Sequence, residues 1–302
     1  MATEQTSPHR AWKGTTGGTR WMQQTLVFCL GWMNLPFVYT GMALVIPFYM
    51  LFNHQGYITQ YHFFRKRLGY GPLKAFVHVY LNHFVFGQII LDRFAVYGGQ
   101  KFKVDIEGNE IFLDHIARPE GFLQLSSHVG NFELSGYMLK QDEKPINALV
   151  FGGETGTVMA NRIRVFREMN IKLISVGNDL GHVLAMNQAL ADGEIISMTG
   201  DRNFGSQKSV KCRFFGAEAE FPLGPYVLAA QRDVPVLSIF VMKESVYRYR
   251  IFVRKVEVPP SDKPLPLRAK GAALAQAFAN QLEETVRRYP HQWYNYYEFW
   301  ND

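Results

Sequence analysis

Residues 24–52 form an uninterrupted stretch without a single Asp, Glu, Lys or Arg. A helix rises about 1.5 Å per residue, so this stretch is long enough to cross the ~30 Å hydrocarbon core of a bilayer. Pro36 and Pro47 are expected to interrupt it, and basic residues flank both ends, which favours a re-entrant or interfacial hairpin. We therefore predict a membrane-associated segment at 21–56. A single spanning helix and a buried pair of core helices are the alternatives.

The chain on either side of this segment differs in character. Residues 1–20 are polar and basic, and we expect them to be mobile. Residues 57–302 begin with aromatic-rich helices that Gly69, Gly71 and Pro72 divide, and they continue with short apolar strands that alternate with helices. Such alternation predicts an α/β fold, here one domain at 57–302 with a central mixed sheet flanked by helices.

The composition is that of a folded chain, with 47% hydrophobic residues, 19% charged residues and a net charge of +6. A positive net charge favours an anionic partner: nucleic acid, an anionic lipid surface or an acidic carrier protein. The sequence has no Lys/Arg-rich arm and no zinc-finger or RNP-type motif, so we expect no nucleic-acid partner. The two cysteines, Cys29 and Cys212, form no CxxC pair, and no HExxH motif occurs, so we expect no metal site.

One polar sequence, Ser-Ser-His-Val-Gly-Asn-Phe-Glu at 126–133, follows an apolar strand. Ligand sites in open α/β sheets gather at the carboxyl ends of strands. His128 is a candidate general base there, because the pKa of an imidazole suits proton removal near neutral pH. We expect Glu133 to orient His128 and to stabilise the imidazolium that forms. His115 and Glu120 have the same spacing, but they lie in a polar link that we interpret as surface.

These residues resemble the lysophospholipid acyltransferase superfamily, and within it the branch of bacterial lipid A late acyltransferases. The pattern of that branch is close to His-x-Gly-Asn-Trp-Glu, and this chain has Phe132 at the Trp position. Further blocks of the family occur in the same order, at Gly200-Asp201-Arg202, Phe214-Phe215-Gly216, 221–225 and 234–236.

The resemblance implies a glycerol-3-phosphate acyltransferase-like fold and a location at the cytoplasmic face of the inner membrane of a bacterium. It implies that His128 deprotonates a hydroxyl or amine of a lipid acceptor, which then attacks an acyl thioester directly. The donor is acyl-carrier protein or acyl-coenzyme A, and no cofactor is expected. The absence of a G-x-S-x-G elbow agrees with a reaction that forms no acyl-enzyme.

Five residues are assigned to substrate binding by the same resemblance. The arginines among them suit phosphate groups, because a guanidinium fork matches phosphate oxygens. Two structural alternatives remain open: Asn131 as a helix cap, and Asp201 with Arg202 as a local ion pair in a turn. The five residues are Asn131, Asp201, Arg202, Arg167 and Arg164.

Two other functions fit the same residues. The first is a hydrolase that uses His128 and Glu133 to activate water on a lipid ester, and the release of free fatty acid without an acceptor is its mark. The second is a non-catalytic membrane-binding protein on an acyltransferase fold. The acceptor itself stays open between a lipid A precursor, a lysophospholipid, an amino-acid lipid and a polyene.

Overall fold

The structure is a computed structural model of the protein. The predicted mobile terminus at 1–20 lies, apart from Arg20, outside the described residues. The description covers residues 20–52, 54–135, 139, 143–151, 170–176, 180–202, 208–260 and 263–300.

Two helices form the apolar N-terminal segment, α1 at Arg20–Trp32 and α2 at Leu35–Phe52. The chain turns between them just before Pro36, which lies in the first turn of α2, where the missing N–H of a proline is tolerated. The expected interruption at Pro47 is wrong, because Pro47 lies inside α2.

A hydrogen bond from a neighbouring helix explains how α2 continues through Pro47. A proline cannot bond to the carbonyl four residues earlier, which here is the carbonyl of Ala43. The hydroxyl of Tyr80 donates to that oxygen at 3.0 Å and supplies the missing partner.

The surface of α2 is apolar on all sides, yet one face alone packs against protein. Leu35, Tyr39 and Ile46 are buried on the inner face. Among the described residues, α2 is the one helix long and apolar enough to cross a membrane. An exposed apolar face of this extent is typical of a helix that contacts lipid or another apolar partner. The exposed outer residues are Phe37, Leu44, Val45, Phe48, Leu51 and Phe52.

The aromatic-rich region divides as predicted. Helix α3 at His54–His62 runs into one π-helical turn, and the long helix α4 spans Pro72–Tyr97. Between them Gly69 has a φ of +68°, in the left-handed region that favours glycine, and Pro72 opens α4.

The remaining elements alternate between strands and helices, as the sequence predicts. Within the helix expected at 131–140, the described residues form a short 3₁₀ turn at Phe132–Leu134, and Ser135 after it is helical; most of the remainder lies outside the described residues. The helix expected near 157–169 lies outside the described residues. The further elements are β1 Lys103–Glu107, α5 Asn109–Ala117, β2 Phe122–Ser126, β3 Ile146–Phe151, β4 Ile171–Val176, α6 Gly181–Ala191, β5 Ile195–Thr199, β6 Ser209–Phe214, β7 Ala217–Pro222, α7 Gly224–Arg232, β8 Val236–Ser245, β9 Arg248–Lys255 and α8 Leu267–Arg288.

Seven of these strands form one sheet in the order β1-β9-β8-β2-β5-β3-β4. Every neighbouring pair is parallel except β8 and β9, which are antiparallel. Strands β6 and β7 pair separately as an antiparallel hairpin. The predicted α/β fold with a central mixed sheet is therefore confirmed.

Both faces of the sheet are covered, and β8 shows this most clearly. Leu237, Ile239 and Val241 belong to one hydrophobic core, whereas Phe240 and Met242 belong to the other. Successive side chains of a strand point to opposite faces, so this alternation places an apolar core on each side. The sheet is the middle layer between helices, and its strand ends are therefore the accessible positions.

Candidate active site

The polar motif begins where β2 ends. His128 follows that strand end, and its side chain is 17% exposed. Gly130 has a φ of +57°, and a Cβ there is only 2.0 Å from the carbonyl oxygen of Val241. The backbone N–H of Asn131 donates to the same carbonyl at 2.7 Å. Only glycine therefore allows this loop to turn so close to β8.

The aromatic-rich C-terminal segment, residues 291–300, holds the loop from the other side. The N–H of Gly130 donates to the carbonyl of Gln292 at 2.7 Å, and the N–H of Tyr294 donates to the carbonyl of His128 at 3.0 Å. Backbone hydrogen bonds on both sides leave the loop little freedom to move. The fold therefore fixes the position of the loop that carries the imidazole of His128.

The carboxylate at Nδ1 of His128 belongs to Asp201. The distance between Nδ1 and Oδ1 is 2.9 Å. The other oxygen, Oδ2, accepts hydrogen bonds from the Ser127 hydroxyl at 2.8 Å and from the backbone N–H of His128 at 3.0 Å. Since β2 and β5 are parallel neighbours, their carboxyl ends bring the two residues together. The Asp201 assigned to substrate binding thus lies where an orienting carboxylate is needed.

Burial and neighbouring charges set the protonation of this pair. Burial lowers the pKa of His128 below its usual 6.5, and the Arg202 charge lowers it further, while Asp201 and Glu133 act in the opposite direction. Burial alone raises the pKa of Asp201, but His128 and Arg202 outweigh it, so that the pKa is about 2. At neutral pH the pair is a neutral imidazole and a carboxylate. With the Nδ1 proton donated to Asp201, Nε2 is the basic nitrogen of the ring and can accept a proton.

Arg202 lies within the protein. Its guanidinium donates to the carbonyl of Tyr294 and lies 5.4 Å from the ring centre of Tyr297. It also lines a large cavity beside the His128–Asp201 pair, the dyad of the site. The charges of Asp201 and Arg202 interact, so both interpretations of this pair stay open: a local ion pair, and a role of Arg202 toward a bound group in the cavity.

Glu133 lies in the 3₁₀ turn and forms an ion pair with Arg93, which α4 contributes. Side-chain exposures of 14% for Glu133 and 25% for Arg93 place the pair at the rim of the site rather than in the core. The negative charge of Glu133 favours the imidazolium form of His128. Both charges therefore lie at the edge of the site, and that of Glu133 acts on His128.

Asn131 is buried, and its amide donates to the hydroxyl of Tyr249 at 3.3 Å. It forms no side-chain cap on the 3₁₀ turn, so the capping alternative is wrong. Its Oδ1 has no hydrogen-bond partner among the described residues. A buried carbonyl oxygen without a partner is available to a ligand or an ordered water.

Arg164 and Arg167, which are predicted to bind phosphate, lie outside the described residues. His115 is not on the surface: it is buried on α5, where its Nδ1 bonds to the carbonyl of Ile111 at 2.7 Å. Within the described ranges, no group of three or more His, Cys, Asp or Glu side chains is arranged to bind a metal ion.

A cavity of about 570 Å³ lies next to the dyad. Arg202, which follows Asp201 directly, forms part of its wall. Apart from a few polar groups the lining is aliphatic, so the cavity suits an extended apolar ligand with a polar end. The apolar lining comes mainly from Leu149, Val176, Val183, Met186, Met198, Pro222, Leu223, Val227 and Leu228.

Comparison with known proteins identifies a family. The family described as bacterial lipid A biosynthesis acyltransferase matches residues 88–300, which include every described residue of the site. No curated protein matches the chain. Among solved structures, the 1-acyl-sn-glycerophosphate (LPA) acyltransferase PlsC from Thermotoga maritima is 14% identical, with coverage of 87% of this chain and 98% of that chain and a TM-score of 0.37.

Proposed function

The chain belongs to the bacterial lipid A biosynthesis acyltransferase family, and we propose that it moves a fatty-acyl group from a thioester to a hydroxyl or amine of a lipid acceptor. The donor is acyl-carrier protein or acyl-coenzyme A, and no cofactor takes part. The reaction takes place at the cytoplasmic face of the inner membrane of a bacterium. The observation that carries this proposal is the His128–Asp201 pair beside an apolar cavity.

The chemistry uses His128 as general base. Its Nε2 removes the proton from the acceptor hydroxyl or amine while the acceptor oxygen or nitrogen forms a bond to the thioester carbonyl carbon. The carbon–sulfur bond then breaks, and the imidazolium returns the proton to the leaving thiolate. Asp201 keeps the Nδ1 proton in place, and the negative charges of Asp201 and Glu133 stabilise the imidazolium. No atom of the enzyme becomes acylated.

The cavity suits the acyl chain. Its aliphatic lining removes the chain from water, which stabilises binding by roughly 25 cal/mol for each Å² of apolar surface buried. The guanidinium of Arg202 at its wall suits the polarised thioester or a phosphate at the head of the ligand. Arg164 and Arg167 are proposed to bind phosphate on the acceptor or carrier, and Asn131 to present its open Oδ1 to the acceptor.

Membrane association is assigned to the outer face of α2. We expect Leu44→Asp combined with Phe48→Asp to weaken binding to vesicles of anionic phospholipid, because each change places a charge on an apolar face. Both side chains are exposed, so the fold should remain stable. Vesicle flotation of the full-length protein measures the effect.

The control for this prediction is Leu113→Asp, since Leu113 is an exposed leucine on α5, away from the N-terminal helices. It should float as well as the unaltered protein. Undiminished flotation of the doubly substituted α2 variant contradicts the assignment of α2 to the membrane.

The dependence of activity on pH tests the electrostatics of the base. Protonated His128 cannot accept a proton, so kcat/KM should fall as the pH drops through the lowered pKa of His128, below 6.5. Arg202→Met removes a charge that lowers this pKa, so the acid limb should move to higher pH. Arg202→Lys keeps a positive charge and should leave the limb close to its original position. An identical limb in all three proteins contradicts the assignment of the limb to His128.

The proposed activity is tested with purified full-length protein in mixed vesicles. Lauroyl-acyl-carrier protein and lauroyl-coenzyme A are the two donors, and a lipid A precursor and a lysophospholipid are the two acceptors. Thiol release should depend on an acceptor, and mass spectrometry should find one added acyl group on it. Thiol and free fatty acid released equally without an acceptor identify a hydrolase instead, and no turnover with any pair contradicts the proposal.

A further inference from the structure

The two N-terminal helices pack tightly against α4. A Cβ at Gly31 in α1 is only 2.7 Å from the carbonyl oxygen of Gly98, so backbone meets backbone at this crossing. The amide of Gln100 donates to the carbonyl of Leu30 at 3.3 Å, close to the end of α1. The segment is therefore seated on the catalytic domain by specific contacts and is not merely tethered to it.

A buried polar cluster lies beneath this contact. Asp92 of α4 is fully buried, and its carboxylate accepts hydrogen bonds from Lys243 of β8 at 2.5 Å and from the hydroxyls of Tyr39 and Tyr249. The ammonium of Lys243 also donates to the Tyr39 hydroxyl at 3.2 Å. A buried ion pair is stable only when further hydrogen bonds satisfy both partners. Tyr39, which α2 contributes, is one of those partners.

The same cluster continues to the catalytic loop by two routes. The hydroxyl of Tyr249, which donates to Asp92, accepts the amide of Asn131 at 3.3 Å. Arg93, the residue after Asp92 on α4, forms the ion pair with Glu133. A shift of α4 at Asp92 therefore moves partners of two residues in the motif.

We propose that Tyr39 is a positioning residue for acyl transfer, which completes the Asp92–Lys243 cluster and thereby holds Asn131 and Glu133 in place. This inference rests on the function proposed above. The N-terminal segment is then part of the enzyme as well as its contact with lipid. Correct seating of α2 is coupled to the geometry of the catalytic loop, so the protein is most active when the helices are docked.

Tyr39→Phe removes the one hydroxyl and leaves the ring, so it tests the link with little change in packing. We expect kcat to fall about 10-fold, which corresponds to the loss of one hydrogen bond to a charged group. KM for the acyl donor should change little, because no residue of α2 lines the cavity. Vesicle flotation should be unchanged, since Tyr39 faces the protein interior.

Tyr80→Phe is the matched control. It also removes a hydroxyl that joins α2 to α4, but that hydroxyl donates to the carbonyl of Ala43, which is not part of the motif. If Tyr39 only helps α2 to dock, both variants should lose thermal stability and kcat alike. A normal kcat in Tyr80→Phe with a reduced kcat in Tyr39→Phe supports the positioning role. Equal kcat values in the two variants overturn it.

Tyr249→Phe tests the same route from the other end, with α2 and its hydroxyl untouched. It removes the link between Asp92 and Asn131, so kcat should again fall about 10-fold. In a double-mutant cycle, Tyr39→Phe and Tyr249→Phe should be non-additive in kcat, whereas Tyr80→Phe and Tyr249→Phe should be additive. Additive effects in both cycles contradict the coupling. An inactive unaltered protein instead contradicts the proposed function itself.

Discussion

His128→Ala should lower kcat by about 10²- to 10⁴-fold, the contribution that positioned acid–base catalysis makes. The side chain lies at a strand end and is partly exposed, so its removal leaves no large apolar cavity, and the variant should stay folded. Acyl transfer to the lipid acceptor, followed by mass spectrometry, measures the loss. His62→Ala is the control, because His62 is exposed on α3, outside the site.

Asp201→Asn should lower kcat almost as much as His128→Ala. The reason lies in the hydrogen bonds that Asp201 accepts. The Oδ2 of Asp201 accepts from two donors, one of them the fixed N–H of His128. The amide oxygen of the asparagine must take that position, which turns its NH₂ group toward Nδ1 of His128. The imidazole is then forced to carry its proton on Nε2, and it can no longer act as a base.

Glu133→Gln distinguishes the role of the Glu133 carboxylate from that of the Asp201 carboxylate. It removes a charge that favours the imidazolium but leaves the tautomer unchanged, so the loss of kcat should be smaller than in Asp201→Asn. The double variant His128→Ala with Asp201→Asn should be little worse than His128→Ala alone, because the two residues act as one unit. Near-normal transfer by folded His128→Ala contradicts the mechanism. A greater loss in Glu133→Gln than in Asp201→Asn moves the orienting role to Glu133.

Gly130→Ala should abolish activity and destabilise the protein more than any conservative change in the loop. The added methyl group meets the carbonyl of Val241 at 2.0 Å, so either β8 or the loop must move. The positive φ of +57° adds the strain that any L-residue feels there, about 1–2 kcal/mol. Thermal unfolding and kcat of the full-length protein measure both effects.

Gly216→Ala is the matched control for this change. Gly216 also has a positive φ, +79°, but a Cβ there meets nothing within 4 Å. Its substitution carries the backbone strain alone, so it should cost about 1–2 kcal/mol of stability and leave kcat unchanged. Equal destabilisation by the two substitutions shows that the loop tolerates the methyl group, which contradicts the tight turn.

The strands, the α/β class and the position of His128 follow from the sequence because their signals are local. An apolar run that ends in Ser126 and Ser127 marks a buried strand with a polar end, and β2 is such a strand. The membership of the acyltransferase family also follows from the motif blocks, and the family match over 88–300 confirms it.

The partner of His128 does not follow from local signals. Asp201 is 73 positions further along the chain, and only the strand order, which places β5 beside β2, brings it to Nδ1. Glu133 is closer to His128 in sequence, and for that reason the sequence pattern favours Glu133 as the orienting carboxylate. Both blocks do follow strands, and in a parallel sheet the ends of neighbouring strands meet, so the signal is present once the order is known.

The role of α4 is likewise set by the fold. Asp92 and Arg93 are adjacent charges in an otherwise apolar half of a long helix, and such isolated charges mark a buried or functional contact. Sequence alone does not reveal that one faces Lys243 and the other Glu133. The helix break expected at Pro47 is wrong for a similar reason, since the hydroxyl that donates to the carbonyl of Ala43 belongs to Tyr80 on α4.

Direct acyl transfer to a lipid is tested by following an isotope-labelled acyl group through a single turnover. Full-length enzyme in excess over labelled acyl thioester is mixed with vesicles that contain the acceptor, quenched with acid and separated into protein, lipid and free fatty acid. The label should pass from the thioester to the acceptor lipid, with none on the protein at any time. Label that accumulates on the protein, or that appears as free fatty acid while acceptor is present, contradicts direct transfer to the lipid.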